Sequence, residues 1–266
     1  GKGYIFTNTN KSITKIIIKF IYNILETFTF RHKNIFFIVQ NSDDLNILKK
    51  SSKIDSRKIN LIPGSGIDLT VFNNKKRNFK NKIVILPARI LIDKGIMDFI
   101  KAAEIIKNTN PDIRMVLIGE IDMENPAFIK RNEILKWVKK NIIEWWEYKN
   151  NMNEIYENSS IVCLPSYREG MPKVLLEAAA SGCPVITTNV IGCREAIIPG
   201  VTGELVEAKS PNALAEKIIN LINDLKKMKK YSLGARLLAE KKFSIKAVTY
   251  NTFRIYDYAI KESIKH

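Results

Sequence analysis

Short apolar runs separated by polar turns recur along most of the chain, and the clearest set lies within residues 161–188. Ile161–Leu164 has the length of a buried strand, and a polar turn containing a glycine and a proline follows it. Residues 174–180 have the small apolar composition of a close-packed helix, and a second apolar run occupies 185–188. This order predicts a β-turn-α-turn-β unit, the repeating element of a doubly wound parallel sheet.

The same alternation extends the prediction to both sides of this unit. Apolar runs predict further strands at residues 35–39, 59–62, 82–88, 113–118 and 204–206. Helical periodicity predicts helices at residues 45–50, 96–107, 127–140, 212–225 and 243–260. Ser42 or Asp43 is the expected cap of the first of these helices, and Ser210 and Pro211 are expected to begin the fourth. The pattern therefore predicts an α/β fold with a parallel sheet.

A polar and basic stretch, residues 73–81, interrupts this pattern and is predicted to be a linker. Residues 1–72 before it form one predicted region, and residues 82–245 after it form the regular α/β domain. Residues 246–266 are predicted to be a C-terminal helix that packs back on the N-terminal part.

Residues 12–28 are strongly periodic, with apolar residues on one helical stripe and Lys11, Lys15 and Lys19 near its start. A basic amphipathic helix of this kind lies on an anionic membrane, or it packs into a protein core with its lysines outside. The pattern favours the core but leaves both interpretations open. The segment lacks the small-residue cleavage site of a signal peptide.

The chain of 266 residues has a net charge of +16, from 43 lysine and arginine residues against 27 aspartate and glutamate residues. Such a charge favours an anionic partner (a membrane surface, nucleic acid or a phosphorylated ligand) unless it reflects only lysine-rich codon usage. A nucleic-acid binder is the weaker interpretation, because the interleaved basic and aromatic residues of recognition modules are absent. Three cysteines without metal or disulfide spacing predict reduced core thiols in a cytoplasmic protein.

Two acidic residues frame the β-turn-α-turn-β unit. Glu169 lies in the turn directly after a strand, and Glu177 lies eight residues later inside the helix. In open α/β sheets, ligands bind beyond the carboxyl ends of strands, where Glu169 is expected. Eight residues span a little over two helical turns, so both acids are able to face one ligand from the same side. The alternative is that Glu177 is an ordinary solvated helix residue.

Arg89 and Lys94 lie in the turn after another predicted strand. A planar guanidinium and an ammonium group there are suited to clamping a diphosphate, and a solvated turn is the alternative. A second turn, residues 63–68, contains Gly64 and Gly66 and allows a phosphate to approach the backbone. This turn lacks the third glycine of a dinucleotide-binding fingerprint.

These residues occur in motifs that resemble a known family. PSYREGMPKVLLEAAASGCPVI resembles a Glu-x7-Glu signature with Glu169 and Glu177 as its acids, and ARILIDKGI resembles an Arg/Lys turn. IGCREAIIPGVTGELV and PGSGID resemble the accompanying glycine turns and interdomain segment. In this order, the motifs are similar to those of the retaining nucleotide-sugar glycosyltransferases of the group 1 family (family 4), which have the two-domain GT-B fold. GEIDMENP and REGMPKVLLE are most similar to the subset that builds bacterial O-antigen, capsule or lipid-linked oligosaccharide on undecaprenyl diphosphate.

The resemblance implies a role for each matching residue. Glu177 is expected to bind the ribose hydroxyls of the nucleotide, and Glu169 the hydroxyls of the donor sugar. Arg89 and Lys94 are expected to neutralise the leaving diphosphate, so that no divalent metal and no cofactor is required. Glu169, Arg89 and Lys94 are thus the predicted catalytic residues. Further predicted substrate contacts come from the backbone amides of Gly170, Met171 and Pro172, and from Ser166, Gly64 and Gly66.

The implied function is transfer of a hexose or N-acetylhexosamine, with retention, from a nucleotide-sugar that is UDP-linked in most of this subset. The implied acceptor is a saccharide or a lipid diphosphate, at the inner face of the cytoplasmic membrane. An anionic membrane surface is therefore an expected partner, and nucleic acid is not. The implied fold is GT-B-like, with 82–245 as a near-complete donor domain and 1–72 as the last part of an acceptor-side α/β domain.

Two departures from the family pattern affect this interpretation. Glu147 stands where the family usually has glycine, so its carboxylate either repels the diphosphate or points to solvent. Two domains of GT-B size need roughly 350 to 400 residues, so we expect an N-terminally truncated chain with an exposed apolar patch that promotes self-association. The alternative function is therefore a non-catalytic nucleotide-sugar-binding remnant or interaction protein.

Overall fold

The computed structural model describes residues 13–30, 32, 35–50, 54–73, 77, 79–147 and 151–264. The strands are β1 (Phe37–Val39), β2 (Ile59–Leu61), β3 (Ile83–Pro87), β4 (Arg114–Ile118), β5 (Glu144–Trp146), β6 (Ile161–Leu164), β7 (Val185–Thr188) and β8 (Gly203–Val206). The α-helices are α1 (Ile13–Phe30), α2 (Ser42–Lys50), α3 (Ile96–Thr109), α4 (Arg131–Lys139), α5 (Met152–Asn158), α6 (Lys173–Ala180), α7 (Pro211–Ile222), α8 (Leu225–Leu238) and α9 (Ile245–Ile264).

Six strands form one parallel sheet in the order β5-β4-β3-β6-β7-β8. The chain builds one half of this sheet from β3 outward to β5, and then returns to lay down β6, β7 and β8 on the other side of β3. The predicted α/β fold class with a doubly wound parallel sheet is confirmed. The strand order reverses between β3 and β6, and this switch point is where open α/β sheets bind ligands.

The β6-α6-β7 segment confirms the unit predicted from the sequence. Every residue of β6 and β7 is buried, which explains why these strands are continuous runs rather than alternating ones. The alanines of α6, Ala178, Ala179 and Ala180, are also buried, so the helix packs close to its neighbours. The three cysteines are free and buried, and burial raises the pKa of the Cys163 thiol.

Several element boundaries differ from the predicted ones. Helix α4 begins at Arg131 rather than residue 127. Helix α2 begins at Ser42, and Asn41 is its cap, because the Asn41 Oδ1 atom accepts a hydrogen bond from the Asp44 amide at 2.8 Å. Pro211 begins α7 as predicted, although the Ser210 side chain makes no capping hydrogen bond within the described residues. Helices α5 and α8 were not predicted, and α8 includes a glycine and four lysines that obscure its apolar stripe.

The contacts divide the chain into two compact units, one containing Pro63–Thr249 and the other the described residues before and after that range. The boundary at Pro63 differs from the predicted linker at 73–81. The reason is that Ile67 is buried within the unit Pro63–Thr249. Its amide donates a hydrogen bond to the Phe243 carbonyl at 2.7 Å, and its carbonyl accepts one from the Ile245 amide at 3.1 Å.

Part of the predicted linker is itself anchored in the second unit. The Arg77 guanidinium donates to the carbonyl oxygens of Tyr156 at 3.0 Å and Ser181 at 3.3 Å, which lie near the ends of α5 and α6. Residues 74–76 and 78 lie outside the described part of the chain. The segment around Arg77 therefore packs on the sheet domain that follows it.

The first unit contains α1, α2, the parallel pair β1–β2 and the end of α9. The Phe36 and Tyr258 rings meet edge to face, with centroids 5.6 Å apart, so the last turns of α9 contact the N-terminal part of the chain. Helix α1 exposes large apolar side chains, namely Ile16, Ile17, Ile18, Phe20, Ile21, Tyr22, Ile24, Leu25 and Phe28. Lys11 and the side chains of Lys15 and Lys19 lie outside the described part. No described helix is long and apolar enough to cross a membrane.

Gly95, at the start of α3, is the position where an added side-chain atom should be most damaging. Its φ is 73°, and a Cβ atom would lie 1.9 Å from the Pro165 carbonyl oxygen. Gly200 has nearly the same φ, 74°, with nothing within 4 Å of its Cβ position. We expect Gly200→Ala to lower the free energy of unfolding by about 1 kcal/mol through backbone strain, and Gly95→Ala by about 2–4 kcal/mol because two backbone segments must also separate.

Urea denaturation of the two variants measures this difference. Gly200→Ala is the matched control, since the left-handed backbone conformation is common to both positions. Equal losses of stability would show that the contact with Pro165 does not constrain the fold.

Candidate functional site

Most of the predicted site residues lie in two loops at the switch point of the sheet. One loop follows β3 and contains Arg89 and Lys94, and the other follows β6 and contains Ser166 and Glu169. Both loops leave the carboxyl ends of neighbouring parallel strands, because β3 pairs directly with β6. The bare Cα of Gly95 allows the first loop to approach the second at Pro165.

Lys94 and Glu169 form an ion pair across these loops. The Lys94 Nζ atom lies 2.6 Å from Glu169 Oε1, and the side chains are only 22% and 11% exposed. The Ser166 hydroxyl donates to the same carboxylate oxygen at 2.8 Å. The structure therefore brings together three of the predicted residues in one enclosed cluster.

The charge of Lys94 is thus balanced by Glu169 in this structure. An ammonium group has three donors, and one of them is used by the carboxylate. The remaining donors allow Lys94 to bind an oxygen of a second anion while it keeps or loosens its contact with Glu169. The cluster is suited to an anionic group that also carries hydroxyls, since a carboxylate accepts hydrogen bonds from hydroxyls.

Arg89 has a different partner. Its Nη1 atom lies 2.7 Å from Asp122 Oδ2, and the arginine side chain is exposed. Asp122 follows β4 and belongs to the GEIDMENP stretch, which the sequence analysis did not assign a contact. Exposed ion pairs contribute at most about 1 kcal/mol, so this pair opens at little cost when a stronger anion is available.

Glu177 is buried, so the interpretation of it as an ordinary solvated helix residue is wrong. The Tyr156 hydroxyl donates to Glu177 Oε2 at 2.9 Å, and Lys173 Nζ lies 3.6 Å from Oε1. Burial raises the pKa of Glu177, whereas the hydrogen bond from Tyr156 and the nearby Lys173 act against this rise. Within the described contacts Glu169 and Glu177 share no partner, so a common ligand for both stays a prediction.

Tyr156 contacts a predicted site residue, and the sequence analysis missed it. It lies on α5, one of the two unpredicted helices, and its side chain is fully buried. Burial and the adjacent Glu177 carboxylate raise the pKa of Tyr156. Tyr156 ends the segment IEWWEYKNNMNEIY (residues 143–156), and no spacing along the chain indicates that it reaches a carboxylate 21 residues away.

The glycine-rich turn contributes one close approach to the site loop. Gly64 lies against α6, since a Cβ atom there would be 2.6 Å from Leu176 Cδ1 and 3.3 Å from Met171 Cγ. Gly66 instead packs on Ile245, whose Cα would be 3.0 Å from an added Cβ atom. The structure therefore places Gly64, but not Gly66, beside a predicted substrate-binding residue.

The predicted backbone amide at Pro172 requires a correction. Proline has no N–H group, so only Gly170 and Met171 of this segment have amides to donate. Pro172 is the N-cap residue of α6, and its carbonyl accepts from the Leu175 amide at 3.0 Å. Gly192 packs closely against this segment, because a Cβ atom there would lie 2.4 Å from the Gly170 carbonyl oxygen. The sequence analysis treated Gly192 only as part of a turn.

A cavity of about 420 Å³ lies beyond the carboxyl ends of β4 and β5. The Arg131 guanidinium stacks on the Trp145 ring at 4.8 Å, and Arg131 also pairs with Glu147 at 2.8 Å. Glu147 is exposed and its carboxylate is paired with Arg131, so its expected effect on a diphosphate stays a prediction. The cavity is lined by Glu120, Ile121, Met123, Phe128, Lys130, Arg131, Trp145 and Glu147.

No group of three or more histidine, cysteine, aspartate or glutamate residues in the described part of the chain is arranged to hold a metal ion.

The geometry can be compared with known proteins. The model of the family described as "Glycosyl transferases group 1" matches residues 70–237. The capsular polysaccharide biosynthesis glycosyltransferase CapM of Staphylococcus aureus is 31% identical over 183 residues, which are 69% of this chain and 48% of CapM. An N,N'-diacetylbacillosaminyl-diphospho-undecaprenol alpha-1,3-N-acetylgalactosaminyltransferase of Campylobacter jejuni is 29% identical, over 85% of this chain and 60% of the relative.

Solved structures share the fold at low sequence identity. A sucrose-phosphate synthase from Thermosynechococcus elongatus superimposes with a TM-score of 0.78 at 21% identity, covering 98% of this chain and 65% of the other. Anabaena Alr3699/HepE in complex with UDP and glucose gives a TM-score of 0.71 at 16% identity, covering 84% and 62%.

The chain spans about half to three fifths of the length of these curated relatives. The family model, however, covers well over half of this chain, including both loops of the site. The chain belongs to the glycosyl transferases group 1 family.

Proposed function

We propose that this chain provides the donor site of a glycosyltransferase that uses a UDP-sugar and a lipid-diphosphate or saccharide acceptor in surface polysaccharide synthesis. The observation that carries the proposal is the enclosed cluster of Lys94, Glu169 and Ser166 at the switch point of the sheet. It combines a cation for a phosphate with a carboxylate for sugar hydroxyls. The transferred group is a hexose or N-acetylhexosamine.

The names of similar proteins support the choice of substrates. The Campylobacter jejuni relative is named for an acceptor on diphospho-undecaprenol. An Escherichia coli relative, 26% identical, is named as a UDP-Gal:alpha-D-GlcNAc-diphosphoundecaprenol alpha-1,3-galactosyltransferase. The Anabaena structure holds UDP and glucose. By analogy, we assign a UDP-sugar donor and a lipid-linked acceptor to this chain, and we place its action at the inner face of the cytoplasmic membrane.

The transfer step breaks the bond between the anomeric carbon and a diphosphate oxygen. The acceptor hydroxyl forms the new bond on the same face, with retention, and its proton passes to the departing diphosphate. Negative charge develops on that diphosphate, where Lys94 and Arg89 stabilise it without a divalent metal. Glu169 orients the sugar through its hydroxyls.

Glu177 and the cavity beyond β4 and β5 complete the donor site in this proposal. Glu177 accepts hydrogen bonds from the ribose hydroxyls, and the hydroxyl of Tyr156 fixes its carboxylate. The Trp145 ring, with the Arg131 guanidinium 4.8 Å from its centroid, offers an aromatic and cationic surface for the nucleotide base. A buried carboxylate is unfavourable for stability, and such residues are common where function requires them.

Lys94→Ala should separate the diphosphate contact from the nucleoside contacts. We expect it to weaken UDP binding by about 1.5–3 kcal/mol, the scale of hydrogen bonds to charged groups, and to leave uridine binding unchanged. Isothermal titration with UDP and with uridine measures both. Arg89→Ala is the comparison variant, and its effect should be smaller because Arg89 is more exposed than Lys94. A parallel loss of uridine binding in Lys94→Ala would contradict the assigned contact.

Glu177→Gln should weaken UDP binding by about 1–3 kcal/mol and at the same time stabilise the fold at neutral pH. Because burial raises the pKa of Glu177, the native state binds its proton more tightly than the unfolded chain does. The cost of the buried charge is therefore present above the native pKa and disappears as pH falls and Glu177 becomes protonated. The stability gain of the variant should shrink in acid.

Urea denaturation between neutral and acidic pH, with UDP titration at neutral pH, measures these effects. Tyr156→Phe is the control, because it removes a partner of Glu177 but leaves the carboxylate. It should lower stability and retain most UDP affinity. Unchanged UDP affinity in Glu177→Gln would remove the ribose role.

Catalysis itself is tested by incubating the chain with UDP-sugars and an undecaprenyl-diphosphate sugar, with and without EDTA. Transfer that is insensitive to EDTA supports the proposal. Binding of UDP without any transfer would favour the alternative of a non-catalytic nucleotide-sugar-binding protein.

A further inference from the structure

Helix α8 exposes apolar side chains among lysines on the side that faces away from the sheet. Leu233 and Leu237 are 65% and 64% exposed, and Lys226, Lys229 and Lys230 are exposed beside them. The spacings from residue 226 to 229, 230, 233 and 237 place all five side chains on one helical face. We call these five residues the α8 outer face.

The orientation of this face is fixed by the opposite side of the helix. Met228, Tyr231, Ala235 and Leu238 are buried in the hydrophobic core of the sheet domain. A rotation that covered the exposed leucines would remove these four side chains from the core. The leucines therefore stay in contact with solvent unless a partner covers them.

The lysines of the α8 outer face are not paired with acidic side chains in the described part of the chain. Within the described residues, no carboxylate forms an ion pair with Lys226, Lys229 or Lys230. The acids near this helix have other partners: Glu204 pairs with Lys227 at 2.6 Å, and Glu240 pairs with Arg236 at 2.7 Å. Asp224 caps the helix, and its Oδ1 atom accepts from the Lys227 amide at 2.8 Å. The surface therefore presents uncompensated positive charge in a chain whose net charge is +16.

We propose that the α8 outer face docks on an anionic lipid bilayer, with Leu233 and Leu237 entering the interface and the three lysines contacting head groups. Apolar side chains within a basic rim are the pattern of interfacial helices. A nucleic acid would use the lysines but not the leucines. A specific protein interface buries about 800 Å² on each partner, whereas the apolar part of the α8 outer face consists of Leu233 and Leu237.

The docking does not rest on the proposed transfer reaction. It predicts a dependence on both charge and apolar contact, because each lysine near an anionic surface strengthens binding by about fivefold. Three lysines together then contribute about a hundredfold, and added salt weakens this part.

Vesicle co-sedimentation of the whole chain tests the proposal, with vesicles of phosphatidylcholine alone and of phosphatidylcholine mixed with phosphatidylglycerol. The triple variant Lys226→Ala, Lys229→Ala, Lys230→Ala should bind the anionic vesicles about a hundredfold more weakly, with binding to neutral vesicles unchanged. The double variant Leu233→Ser, Leu237→Ser should lose about tenfold on anionic vesicles. Urea denaturation verifies that both variants keep the wild-type stability.

A matched control is available on α4, which carries the exposed residues Leu135, Lys136 and Lys139. Substituting these to Ser, Ala and Ala should leave vesicle binding unchanged. Wild-type binding by the α8 variants would overturn the proposal, as would equal losses in the α4 control. Sedimentation velocity tests whether a second copy of the chain covers the leucines instead. If the leucine variant dissociates an oligomer while vesicle binding stays intact, the occupant is a second copy and the proposal is overturned.

Discussion

The site depends on one backbone contact at the centre of the sheet, the approach of Gly95 to the carbonyl oxygen of Pro165. This contact lies where β3 and β6 run side by side and the strand order reverses, and it leaves no room for a Cβ atom. The residue before the glycine is Lys94, and Glu169 follows the proline by four positions. The close packing of two main-chain segments thus brings these two residues near each other, and their side chains then form the ion pair.

The sequence predicted the parts of this structure that depend on local patterns. The β6-α6-β7 unit follows from apolar runs and small residues, and the location of Glu169 and Lys94 follows from the rule that parallel strands end at one edge. Their pairing was not predictable, because it joins residues 75 positions apart. The hydrogen bond from Tyr156 to Glu177 was missed for the same reason, and also because the short helix that carries Tyr156 has a polar sequence without a clear period.

The first unit shows the limit of reading amphipathicity from sequence. The stripe predicted for residues 12–28 left a core helix and a membrane-surface helix open. In the structure Ile16, Ile17 and Ile18 are all exposed, so apolar side chains point in successive directions around α1. A helix that is apolar around most of its circumference fits the interior of a protein better than an interface with one polar side. The parallel pair β1–β2 also exposes an apolar side chain, that of Ile38. Parallel strands normally have both faces covered, so this pair, like α1, has an apolar surface typical of a protein interior.

Glu169 Oε1 contacts both Lys94 and Ser166, and in the proposed donor site this arrangement would affect release of the product. An unpaired cation in an enclosed cleft binds an anionic product strongly, because release of the product leaves a buried charge without a counter-ion. In the proposed donor site the counter-ion is part of the protein: the Glu169 carboxylate lies 2.6 Å from Lys94 and is positioned to replace the diphosphate when it leaves. On that proposal, Glu169 would restore electrical neutrality to the cleft as the product leaves and so favour product release, besides binding the sugar.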